Sequence, residues 1–129
     1  MTRSINLEKV KSALVELADR RYQEIVWVGE AEGLIGSIDE ALATLFDDSG
    51  LEEALNGDEE VFGPETDSDL RDLGNRLVRL AREQMTPEET LTDPRFLDVR
   101  AKAATVLFRI LRWEASELEP TTQGGLTDR

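Results

Sequence analysis

The stretch DSDLRDLGNRLVRLAREQ, residues 67–84, decides the fold class. On a wheel of 100° per residue, Leu70, Leu73, Leu77, Val78, Leu80, Ala81 and Gln84 fall in one arc. Arg71, Asp72, Asn75, Arg76, Arg79, Arg82 and Glu83 fill the remainder. That period belongs to an amphipathic helix with one buried face. Asp67 or Ser68 supplies its N-cap. Gly74 lies inside the apolar arc and costs about 1 kcal/mol against Ala there. A close approach by a neighbouring helix would account for it.

The same period extends outward on both sides. Upstream, Leu7, Val10, Leu14, Leu17, Ile25 and Val28 share a three-four spacing from a start near Ser4 or Asn6. Arg21 intrudes on that stripe, and Gly29 and Gly33 are its terminators. Ser37-Ile38-Asp39-Glu40 reads as a capping box ahead of a second helix faced by Ile38, Ala41, Leu42, Leu45 and Phe46. Ser49 to Glu52 repeats the box and starts a further turn or two, ending at Asn56-Gly57. Residues 57–69 read as a loop, with an optional short segment over Asp58–Phe62, pinned to the core through Val61 or Phe62.

Downstream, Thr86-Pro87-Glu88-Glu89 caps one short turn, and Asp93-Pro94 opens the last long helix. Phe96, Val99, Ala103, Val106, Leu107, Ile110 and Leu118 form its stripe, interrupted by Arg100 and Glu114. Pro120 ends it, and a disordered tail is expected over 121–129. Strand alternation is absent; Ile25-Val26-Trp27-Val28 is the only local rival. The expectation is an all-α fold, an antiparallel bundle of four main helices plus one or two short helical turns, in a single domain over 1–120.

Composition narrows the chemistry. The chain of 129 residues has no His and no Cys. A disulfide framework, a Cys/His zinc site, a thiol nucleophile and a His general base are therefore excluded. No Gly-rich phosphate loop and no nucleophile-elbow motif occurs, and the three lysines, Lys9, Lys11 and Lys102, fall at exposed helical positions. A non-enzyme without cofactor is expected. Asp67-x-Asp69 and Asp58-Glu59-Glu60 offer hard oxygen ligands, but the EF-hand pattern fails because Arg71 stands where a third ligand belongs. No metal is expected. The first 20 residues lack the apolar run of a signal peptide, and no stretch approaches the roughly 20 residues of a membrane span. A soluble cytoplasmic protein is expected. Twelve Arg to three Lys is the usage of a GC-rich, bacterial type of genome.

Charge supplies the functional lead. The net charge is −13. Residues 39–72 hold 13 acids and one base, a net of −12, while residues 73–129 are neutral overall. Asp47, Asp48, Glu52, Glu53, Asp58, Glu59, Glu60, Glu65, Asp67, Asp69 and Asp72 would form one negative surface, with Phe62 as an apolar anchor within it. Such a surface steers a basic protein partner and repels nucleic acid and anionic membranes. The leading expectation is a non-catalytic domain that neutralises a basic partner, as an immunity protein or antitoxin does to a nuclease-like toxin. The alternative is a homo-oligomerising or adaptor module whose apolar stripes make a dimer seam. A third is a ligand-binding or enzymatic bundle using Arg21 and Arg100, each inside an apolar stripe, with Glu24 and Glu114 as partners by helical position. Snorkelling to water is the plainer account of both arginines. Trp27 is expected in the core if the chain bends near Gly29, and Trp113 at a core edge.

Overall fold

Helix α1, Leu7–Ala18, starts where Asn6 caps it, its side chain accepting from the Lys9 amide at 3.1 Å. Val10, Ala13, Leu14 and Leu17 form its buried face. These assignments come from a computed structural model that describes residues 5–29 and 37–118. The expected terminator Gly33 and the expected tail lie outside the described residues.

The first helix does not run unbroken to Val28. Asp19 adopts extended geometry, φ −105° and ψ 99°, and its side chain caps a new start by accepting from the Tyr22 amide. Helix α2 then comprises Arg20–Tyr22 and a π-helical continuation, Gln23–Val28. The break shifts the phase of the apolar face. Gln23, Val26 and Trp27 turn inward, while Arg21 and Ile25 turn out to solvent. Arg21 interrupts the three-four spacing because that spacing crosses the break at Asp19.

The break also leaves carbonyls of the last turn of α1 without helical partners. Gln23, fully buried, repairs this: its Nε2 donates to Glu16 O at 2.7 Å and Leu17 O at 2.9 Å. Its Oε1 accepts from Arg100 Nε at 3.2 Å and Nη2 at 3.0 Å. The Arg100 guanidinium lies 5.2 Å from the centre of the Phe96 ring, and Phe96 packs at 5.7 Å on Trp27. Burial holds Arg100 below the ordinary arginine pKa. Its partner is thus an amide rather than the expected carboxylates: Glu114 pairs with Lys11 at 2.9 Å, and Glu24 with Arg20 at 2.9 Å.

Helix α3, Ile38–Leu42, is capped by Ser37 as the box pattern requires and continues as a second π-helical stretch, Ala43–Asp48. Helix α4 is Leu51–Leu55, α5 is Pro64–Arg82, α6 is Pro87–Thr92 and α7 is Pro94–Leu118. Both reciprocal bonds of the Thr86/Glu89 capping box form. No strand occurs among the described residues, and the fold is an all-α helical bundle.

Helix α7 is the axis. It packs against α1 on one side and α5 on the other. Both neighbours run antiparallel to it. Lys11 meets Glu114 while Gln23 meets Arg100, and Asp72 meets Lys102 while Glu83 meets Arg95. Leu14, Leu45, Leu70, Leu73, Leu77, Phe96, Val99 and Ile110 are fully buried in one common core. Gly74 fulfils its expected role. A Cβ there would stand 3.0 Å from Phe46 Cζ, so the missing side chain admits the Phe46 ring from the facing helix.

Arg95 clasps the α5–α6–α7 corner. It donates to both Glu83 carboxylate oxygens at 2.5 and 2.8 Å and to Asp93 at 2.8 and 3.0 Å. Hydrogen bonds from Arg95 hold both carboxyls below their ordinary values of 4.5 and 3.8.

Two outcomes follow for stability. Gln23→Leu leaves Leu17 O and the half-buried Arg100 guanidinium without their amide partner, and Glu16 O with only the long bond from the Asp19 amide at 3.4 Å. It should cost about 2–4 kcal/mol in denaturant unfolding; a loss under a few tenths would show that water replaces the amide. For the clasp, a lowered folded pKa stabilises above the unfolded value and is lost as pH falls through the folded one. The melting-temperature gap between wild type and Arg95→Gln should therefore be constant near neutrality. It should begin to close below pH 4.5. A gap that persists to the acid limit would assign the stabilisation to packing of the arginine stem.

Candidate functional site

The acidic residues of 39–72 fall on three separate parts of the fold. The first is the turn from α3 into α4. Buried Ser49 donates its hydroxyl to Leu45 O at 2.5 Å and accepts from the Leu51 amide at 3.1 Å. Gly50 follows at φ 83°, a left-handed conformation that glycine adopts without strain. This sharp reversal leaves Asp47, Asp48, Glu52 and Glu53 exposed side by side in the chain.

A groove of about 520 Å³ opens there between α3, α4 and α5. Leu42, Phe46, Leu55 and Val78 give it an apolar floor, and Asp39, Asp47 and Glu52 are the carboxylates along it. Arg71 is its one lining base, and Arg71 Nη2 is engaged by Leu55 O at 2.7 Å. Phe46 lies over Gly74, so the glycine that permits helix approach also shapes the floor.

The second part is the loop between α4 and α5, where Asp58, Glu59 and Glu60 are exposed and no helical turn forms. Asp67 organises this loop. It is only 3% exposed, and its two carboxylate oxygens accept from the Val61 amide at 2.8 Å and the Phe62 amide at 2.9 Å. Helix α5 starts earlier than expected, at Pro64, after Gly63 at φ 123°. Neither Asp67 nor Ser68 is its N-cap. Phe62 is 7% exposed and packs edge-on against half-buried Trp113 at 4.9 Å. Asp67 and Phe62, both expected on the binding surface, are therefore interior. One fixes the loop backbone and the other tethers the loop to α7.

The third part is the α5–α7 seam. Asp69 pairs with Arg109 and Lys102, Glu65 with Arg109 at 3.3 Å, and Asp72 with Arg76 at 2.8 Å and Lys102 at 3.3 Å. The Arg76 hydrogen bond, opposed by partial burial and aided by Lys102, holds the Asp72 carboxyl below its ordinary range. Bases from outside the acidic segment thus neutralise this third. The expected single surface is divided, and the carboxylates outside this seam lie around the α3–α4 groove and the neighbouring loop.

Among the described residues no group of His, Cys, Asp or Glu converges in a way that would hold a metal ion. Of the two arginines of the ligand-binding alternative, Arg21 is exposed to solvent and Arg100 is held by Gln23. Trp27 is buried as expected, with no acceptor for its indole N–H among the described residues. Asp39, Leu42, Phe46, Leu55 and Val78 were not expected as site residues. The signal for them was Gly74, whose cost implies a neighbour pressed against α5.

Comparison of the chain with protein-family models, with curated proteins and with solved structures found no match in any of the three.

The interior role of Asp67 and Phe62 has a direct test. Asp67→Ala leaves two amides without their acceptor and should cost about 1–3 kcal/mol. Phe62→Ala should also lower the melting temperature. Wild-type melting in both variants would return the two residues to the surface.

Proposed function

We propose that the chain is a non-catalytic binding protein that captures a basic protein partner in the α3–α4–α5 groove. The observation that carries this reading is the pairing of an apolar floor with carboxylates from Asp39, Asp47 and Glu52. Carboxylates steer a cationic partner and speed its arrival. Phe46 and Val78 supply the apolar contact that slows its departure, since charge alone gives rate more than residence. The role of this type that fits the size and charge is an immunity protein or antitoxin covering the cationic substrate site of a nuclease-like toxin. Among the described residues no helix is long and apolar enough to cross a membrane, which suits a partner met in solution.

The test is capture of partners with the wild-type chain and with Asp47→Lys/Glu52→Lys, followed by stopped-flow association with the protein retained. The expected partner is basic and is lost by the double variant. Its association should slow steeply with salt, while dissociation changes less. An acidic partner, or one bound on the Arg76, Arg79 and Arg82 face with the groove left open, would overturn the reading.

A further inference from the structure

Helix α7 carries two apolar stripes. The first is the core face of Phe96, Val99, Ala103, Val106 and Ile110, all fully buried. The second is Leu97, Ala101, Ala104, Phe108, Leu111 and Ala115, spaced by four and three residues in strict alternation. Every member of the second stripe is exposed, Phe108 by 60% and Leu97 and Leu111 by 45% each. On the helical wheel these six fall within an arc of about 80°. An alternation of four and three repeats every seven residues, which is the repeat of a coiled-coil seam.

We propose that this stripe is the two-fold interface of a homodimer in which α7 pairs antiparallel with α7 of a second copy. Size selects this partner and direction. With the dyad at the level of Val106, Phe108 faces Ala104 of the second copy, Leu111 faces Ala101 and Leu97 faces Ala115. Every large side chain then meets an alanine, and the helices can approach closely. A parallel pairing sets Phe108 on Phe108 and Ala104 on Ala104, which alternates crowding with voids and forfeits contact.

Charge selects the same arrangement. Asp98, Thr105 and Arg112 line one flank of the stripe, all exposed. The antiparallel dyad brings Asp98 to the same side of the seam as Arg112 of the second copy, about 3 Å out of level and within the arginine's reach, twice by symmetry. A parallel pair instead turns this flank toward the Arg100, Leu107 and Glu114 flank of the second copy, so the two charges do not meet. The location is also the least repulsive one available. Residues 94–118 hold five bases and three acids, although each copy carries −13 overall. No α7 residue lines the α3–α4–α5 groove, so the dimer stands or falls independently of the proposed partner binding.

Light scattering and sedimentation equilibrium of the full chain, from low micromolar to near-millimolar, test it. The mass should rise from 14.5 kDa toward twice that value with concentration. Phe108→Glu and Ala104→Glu should stay monomeric throughout while keeping the helical circular dichroism of the wild type, since both sites are exposed. Asp98→Arg alone and Arg112→Asp alone should each weaken dimerisation about tenfold, and the double reversal should restore it. A wild-type chain monomeric at every concentration would overturn the proposal. So would dimerisation unaffected by Phe108→Glu, or a double reversal no better than the singles. A monomer that floats with lipid vesicles through Phe108 would make the stripe a lipid contact instead.

Discussion

The Gln23 side chain is the tie on which the bundle's first half depends. A break in a helix that packs on a core leaves carbonyls without helical partners, and those that are buried are costly unless something answers them. One amide answers two carbonyls of α1 and offers its oxygen to Arg100 on α7. The cation so fixed lies over Phe96, which in turn packs on Trp27. Chain direction after Asp19, the placement of α2 and the seating of the tryptophan are therefore one cooperative arrangement. Arg100 suits the position because its delocalised charge is weakly hydrated and its planar group serves ring and amide together.

Surface chemistry follows from which helices share a seam. The acids of α5 that face α7 meet Lys102 and Arg109, whose bases come from the neutral half of the chain. Those of α3 and α4 lie away from that seam. An acidic segment that looks uniform in sequence becomes, in the fold, one wall paired with bases and one acidic groove rim. The groove gains its sign from topology as much as from composition.

The helices were legible because their signals are local. Capping at Ser37 and Thr86, prolines at 87 and 94, and the stripe of residues 67–84 each sit within one or two turns of chain. Gly74 was legible as a defect with a cause, and the Phe46 ring supplies that cause. The break at Asp19 was harder, because an aspartate in a polar position reads as solvated face. Only the phase error at Arg21 betrayed it. The roles of Asp67 and Phe62 were not legible at all. A carboxylate holding two amides and a carboxylate facing water have the same sequence, and burial is decided by α7, some fifty residues away. The second α7 stripe was hidden by the first, since one apolar face had already satisfied the pattern.

The π-helical stretch Ala43–Asp48 has a consequence of an evolutionary kind. A wide turn of this sort accommodates a residue more than an α-turn does. Because it absorbs that residue, the acids at its end keep the bearing they would have after a shorter, purely α-helical turn. Loss of one residue between Ala43 and Phe46 would let the ladder revert to the α pattern and leave Asp47 facing the groove. The same loss in an α-helical stretch would turn everything downstream by about 100°. The acidic face thus tolerates a single-codon deletion at this point of the chain.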